Sequence, residues 1–188
     1  MVAAIWFLGT PLRAVAEELS PESSTPALLD QLASTYTTPN AVAAFLHTAF
    51  TFTRDEELFG EVDRWQSPEE FLARKAGDCE DYALLARTLL RRNGIEASVF
   101  SVFGNEGYAH TVCVFLDHRG RYNVIDVDKL RALHVKSLEA VASWLSPSWT
   151  VGAIAERTGA RGQVVTQLTN SHLASFRAFT DPIANVSF

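Results

Sequence analysis

The stretch Gly77-Asp78-Cys79-Glu80-Asp81-Tyr82-Ala83, with its continuation to Leu90, constrains the fold more than any other part of the chain. From Cys79 onward, Tyr82, Ala83, Ala86, Leu89 and Leu90 return at three- and four-residue steps, which predicts a helix with one apolar face and Cys79 in its first turn. Arg87, Arg91 and Arg92 fall toward the far end, where positive charge suits the helix dipole, and Asn93-Gly94 supplies a stop. Three segments that read as strands follow, residues 95–103, 108–116 and 122–127, separated by Gly104-Asn105-Glu106-Gly107 and Asp117-His118-Arg119-Gly120. Breaks of that kind join hairpins, so the three predict an antiparallel meander. The expected class is α+β, with a central helix that opens at Cys79 packed on an antiparallel sheet.

The unpaired amides and positive dipole end of a helix N-terminus favour a thiolate over a thiol, which makes Cys79 a candidate nucleophile. The plainer reading of a lone cysteine on an apolar helix face is core packing. Its company argues for chemistry. The middle strand carries His110 and the last carries Asp126. A nucleophilic thiol needs a base beside it, and the base needs a third group to fix its tautomer and orientation.

These residues carry a family resemblance. Gly77 to Ala83, preceded by Trp65-Gln66-Ser67-Pro68-Glu69-Glu70-Phe71-Leu72, resembles the bacterial transglutaminase-like cysteine proteinases. Tyr108-Ala109-His110-Thr111-Val112 is similar to the histidine strand of that family, and Val124-Ile125-Asp126 to its aspartate strand. Together they span roughly the middle half of the chain, and three motifs in order are far more specific than one. The resemblance implies a papain-like, transglutaminase-like core, a protein or peptide substrate, and hydrolysis of peptide bonds by Cys79, His110 and Asp126. The chemistry requires no cofactor; some relatives are periplasmic and calcium-dependent, so the resemblance leaves room for a calcium ion, held in part by Asp78 and Glu80. Papain-like enzymes use a Gln and transglutaminases a Trp near the oxyanion, which by similarity makes Trp65 and Gln66 cleft candidates; a packed core aromatic is the other reading of Trp65.

The family's aspartate strand often runs on into Asn-Leu, whereas this chain reads Asp126-Val127-Asp128-Lys129-Leu130. Alternation puts Asp126 and Asp128 on one strand face, so either can orient His110. Asp126 is preferred because it follows the apolar pair Val124-Ile125. Two other functions stay open: acyl transfer to an amine, as in transglutaminases, and a catalytically inactive papain-like binding module.

The chain has 188 residues, of which 47% are hydrophobic and 20% charged, an ordinary balance for one globular domain. Its formal net charge of −6 provides no basic field for nucleic acid or an anionic membrane. Residues 1–12 are mostly apolar and Arg13-Ala14-Val15-Ala16 ends in a small-x-small pattern. Residues 1–16 therefore read as an export signal and 17–188 as a single peptidase domain with its core at about 40–130, placed in the periplasm or secreted. No Lys or Arg precedes the apolar run, which keeps a cytoplasmic location open. No later stretch reaches the eighteen or so apolar residues of a membrane span. If His110 faces Cys79, alternation points Cys113 away, so Cys113 is expected to be a free, buried thiol rather than a disulfide partner.

Elsewhere, Thr25-Pro26 and Asn40 read as starts of two helices, Ser67 and Glu70 as the capping box of a third, and Ser137 as the cap of a fourth that ends at Ser146-Pro147. Residues 53–63 read as an acidic approach loop, and His47 as a surface or packed helix histidine. Gly152, Gly159 and Gly162 divide the remainder into short pieces with no function assigned. No CxxC, HExxH or Gly-rich phosphate loop occurs, which disfavours zinc and nucleotide chemistry.

Overall fold

Capping side chains set most of the helix starts. The structure, a computed structural model, describes residues 26–170; the expected export signal and the Thr25 cap lie outside them. Helix α1 runs Pro26–Thr35 and α2 Pro39–Ala49. The cap of α2 is Thr38, not Asn40: its hydroxyl accepts from Ala41 N at 3.2 Å, and Pro39, with no N–H to satisfy, takes the first helical position. A two-residue strand β1, Thr51–Phe52, and a short helix α3, Asp55–Phe59, follow. Helix α4, Pro68–Arg74, opens with the expected box: Glu70 N donates to Ser67 Oγ at 3.1 Å and Ser67 N to Glu70 Oε2 at 2.6 Å. Strand β2, Ala76–Gly77, pairs parallel with β1 and leads straight into the central helix α5, Cys79–Arg92.

The sheet that α5 packs on has six strands where three were expected. These are β3 (Ala97–Gly104), β4 (Ala109–Leu116), β5 (Tyr122–Asp126), β6 (Lys129–Val135), β7 (Trp149–Thr158) and β8 (Arg161–Thr169). Every neighbouring pair is antiparallel, in the order β6-β5-β4-β3-β7-β8. The expected meander is β3 to β5. Gly152 lies within β7, and its missing side chain is a packing requirement rather than a break: a Cβ there would come within 2.8 Å of Phe100 Cζ.

Two cores cover the two faces. On one, Leu84, Leu85, Leu89 and Leu90 of α5 pack with residues of α1 and α2 over Val99, Phe115 and Ile125. On the other, Val141 and Ala142 of helix α6, Leu138–Leu145, pack over Phe100, Val112, Val114 and Val124. Ser137 caps α6 as expected, accepting from Ala140 N at 3.3 Å. Each fully buried leucine contributes about 1.5–3 kcal/mol of transfer free energy, so α5 is fixed mainly by its apolar face. Among the described residues no helix is long and apolar enough to cross a membrane.

Candidate active site

The start of α5 is fixed by hydrogen bonds to one carboxylate. Asp81 Oδ1 accepts from Gln66 N at 2.8 Å, and Asp81 Oδ2 from Gln66 Nε2 at 2.5 Å and Asp78 N at 3.3 Å. The Gln66 amide also donates to Ala76 O at 3.0 Å and accepts from Arg74 Nε at 3.2 Å. Gly77 lets the chain pass over this knot, since a Cβ there would stand 2.7 Å from Gln66 Nε2. Burial pushes the Asp81 carboxyl up to about 7 against the Gln66 hydrogen bonds that lower it.

Cys79 and His110 share a cleft of about 490 Å³ whose wall also includes Phe52, Val62, Gly107 and Ala109. His110 Nε2 lies 2.7 Å from Asp126 Oδ1, and this bond holds the Asp126 carboxyl below the usual carboxylate range. Asp128 lies elsewhere. Strand alternation stops at Asp126 because Val127 adopts φ 54° in the turn that pairs Asp126 with Lys129. Asp128 is thereby directed to α2, where its Oδ2 is 2.6 Å from His47 Nδ1.

Gln66 and Trp65 are not among the cleft-lining side chains. The Gln66 amide is committed to Asp81, and Trp65, 1% exposed, packs in the core with its ring over Gly162. Cys113 also departs from expectation. It packs in the core beneath α5, beside Arg87 and Arg91, rather than on the opposite face. It is nonetheless a free thiol, separated from Cys79 along the helix axis, and burial pushes it up to about 12.

The electrostatics at Cys79 differ from the expected helix-terminus effect. Its Sγ is 3.2 Å from Glu80 Oε2, and burial, followed by the charges of Glu80 and Asp78, pushes the thiol well above its ordinary value. The Thr111 backbone N–H acts in the opposite sense. The acids belong to a larger group that the approach-loop reading missed. Asp55 is 1% exposed; its Oδ2 accepts from Arg64 N at 2.5 Å, while Oδ1 has no hydrogen-bond partner among the described residues. Asp63 Oδ2 and Asp78 Oδ1 are likewise buried without such a partner. Oxygens of Asp55, Asp63 and Glu80 lie within 4.8 Å of one another, as do those of Asp55, Asp78 and Asp81. Burial raises Asp55 to about 6 and Glu80 well above its usual value. The only sequence signal for Asp55 and Asp63 was the density of acids over residues 53–63.

The sequence model of the bacterial transglutaminase-like cysteine proteinase family, BTLCP, matches residues 14–137. No curated protein matches the chain. Among solved structures it is similar to calcium-bound LapG of Legionella pneumophila, at 18% identity and a TM-score of 0.49, over 85% of this chain and 90% of that one. It is similar to EGTA-treated LapG of the same organism at 17% identity and a TM-score of 0.48, over 82% of this chain and 88% of that one. With a family match over most of its length, the chain belongs to the bacterial transglutaminase-like cysteine proteinases and is a cysteine peptidase acting on protein substrates.

Proposed function

We propose that Cys79, His110 and Asp126 carry the hydrolysis, and that a calcium ion held among Asp55, Asp63, Asp78 and Glu80 completes the site. The observation that carries the first part is the 2.7 Å bond from Asp126 to His110 Nε2 in a histidine that shares its cleft with Cys79. With Nε2 bound to Asp126, Nδ1 is the ring atom that takes the thiol proton. The Cys79 sulfur then attacks the amide carbonyl, and the oxyanion is held by the Cys79 backbone N–H and a neighbouring donor. His110 returns the proton to the departing amine, and water attacks the thioester with His110 as base. Phe52, 49% exposed, and Val62, 84% exposed, share the cleft with Arg54, Asp55, Glu56 and Asp78, so it offers a bound peptide both apolar and charged contacts.

The buried oxygens of Asp55, Asp63 and Asp78 that lack a hydrogen-bond partner among the described residues support the second part, because a buried polar atom left unsatisfied costs about 1–3 kcal/mol, and more where the group is charged. Hard carboxylate oxygens from several residues are the donor set calcium takes. Bound calcium would supply the positive charge that lets these acids and the neighbouring Cys79 thiolate ionise together. An export signal at residues 1–16 followed by a single domain over 17–188, in the periplasm or outside the cell, accords with dependence on that ion.

The test is labelling by an electrophilic peptide probe with and without calcium, in wild type, Cys79→Ala and His110→Ala. Labelling is expected to need both residues and calcium, with a loss of several powers of ten in rate for either substitution. Labelling that survives Cys79→Ala, or is missing from the calcium-loaded wild type, would replace the triad with a binding module.

A further inference from the structure

The loop that carries Asp63 is held by a part of the chain beyond the family-matched residues. The β7–β8 hairpin turns at Gly159, φ 61°, and its tip lies against residues 63–65. Trp65 N donates to Ala160 O at 3.1 Å, and Arg157 Nε donates to Trp65 O at 2.8 Å. Arg161 Nη1 donates to Asp63 O at 3.0 Å, and the same nitrogen stands 3.9 Å from Asp63 Oδ2. The Trp65 ring covers Gly162, where a Cβ would come within 2.5 Å of Cζ2, and the Trp65 side chain in turn hydrogen-bonds Asp63. Arg157 Nη2 extends the tie to Glu70 Oε2 at 2.9 Å, the carboxylate that caps α4. The Asp63 carbonyl, the Trp65 backbone and the indole beside Asp63 are thus positioned by the hairpin tip.

We infer that the β7–β8 tip is a positioning clamp for the calcium site, in which Arg161 and Gly162 set the place of Asp63 and through it the affinity for the ion. The inference rests on the calcium reading above. Neither residue touches Cys79. Gly162 acts by having no side chain, so that the indole lies flat against the strand and presents its N–H to Asp63. Arg161 acts by anchoring the Asp63 carbonyl, with its charge beside the carboxylate. Groups that orient a metal ligand from outside its coordination sphere are worth about 10–100-fold in metal affinity, and that is the range expected here.

Calcium titration calorimetry on the chelator-stripped full chain tests it, comparing wild type with Gly162→Ala, Arg161→Ala, Arg161→Lys and, as a control on the exposed face of β8, Val165→Ala. Gly162→Ala and Arg161→Ala are expected to raise the calcium Kd by about tenfold or more. The Arg161→Ala thermal midpoint in EGTA should stay near that of wild type, because Arg161 is 52% exposed. Arg161→Lys should recover part of the affinity, and Val165→Ala should change nothing. A wild type that takes up calcium alongside Arg161→Ala and Gly162→Ala variants of equal affinity would overturn the clamp alone. A wild type that takes up no calcium would overturn the calcium reading and the clamp with it. Should Gly162→Ala fail to fold, Arg161→Ala against Arg161→Lys decides the matter.

Discussion

At the C-terminal end of α5 the charges are matched within the chain. Arg87 pairs with Glu156; Arg91 donates to Ala97 O at 2.6 Å and reaches Glu156 at 3.5 Å; Arg92 donates to Asp30 at 2.8 Å. Asn93 closes the helix by donating to Ala33 O, Tyr36 O and Leu89 O. At the N-terminal end, half-buried Asp78 and buried Glu80 have the sign the dipole favours, yet they stand among Asp55, Asp63 and Asp81, and one oxygen each of Asp55, Asp63 and Asp78 has no hydrogen-bond partner among the described residues. Each end obeys the same dipole rule. They differ in where the compensating charge comes from: on the calcium reading proposed above, the end that carries the cysteine takes it from outside the chain.

The largest expected effect that sharpens this contrast is chelation. A ligand at a hundredfold excess over its Kd stabilises by about 2.7 kcal/mol, so EGTA should lower the midpoint of the loaded protein by roughly 5–10 °C for a chain of this size. Asp55→Asn should abolish most of that difference in a thermal scan. A midpoint indifferent to EGTA would break the comparison at once. Next in size, Glu156→Ala should cost about 1–2 kcal/mol, since it leaves the largely buried Arg87 without its partner. The loss should be the same with and without calcium when read from urea midpoints, and a calcium-dependent loss would join the two ends into one system.

Smaller, and visible only in acid, is the contribution of Asp126, a carboxylate whose partner lies within the chain. Its folded-state value is depressed by His110, so the stability it adds is present above its unfolded value and lost as pH falls below about 4. Asp126→Asn should flatten that part of the midpoint-against-pH curve; an unchanged acid limb would count against the ion pair. Smallest is Asp30→Ala, which removes an exposed pair with Arg92 and should cost about 0.5 kcal/mol or less in a urea melt.

The central helix was legible because its apolar period, arginine end and Asn93-Gly94 stop agree with one another, and the β3–β5 meander because two clear breaks frame the alternating strands. Strands β6 to β8 were not. β6 is exposed along much of one face, β7 is built from small residues around Gly152, and β8 is a largely exposed edge, so none carries a strong period-two signal. The β4–β5 register, continued from Cys113 and Ile125, sets Asp126 opposite Val112 and so diagonal to His110 on one strand face. The separation of Asp128 from them does not follow from register, because Val127 enters the left-handed region, which a β-branched residue rarely occupies. Gln66 shows the limit of argument by similarity: its proximity to Cys79 in sequence says nothing of the Asp81 carboxylate that takes its hydrogen bonds.

The strand order also fixes a timetable. β7 lies beside β3 in the sheet but is made after β4, β5 and β6, so a chain emerging from the ribosome holds Cys79, His110 and Asp126 before the strand that completes the flank of β3 exists. Until then β3 presents an open edge, and the loop at Asp63 has no hairpin tip to bond. A chain cut off within β7 would therefore hold the three residues proposed for the reaction while β3 keeps an unpaired edge, and should be prone to pair with its neighbours through it.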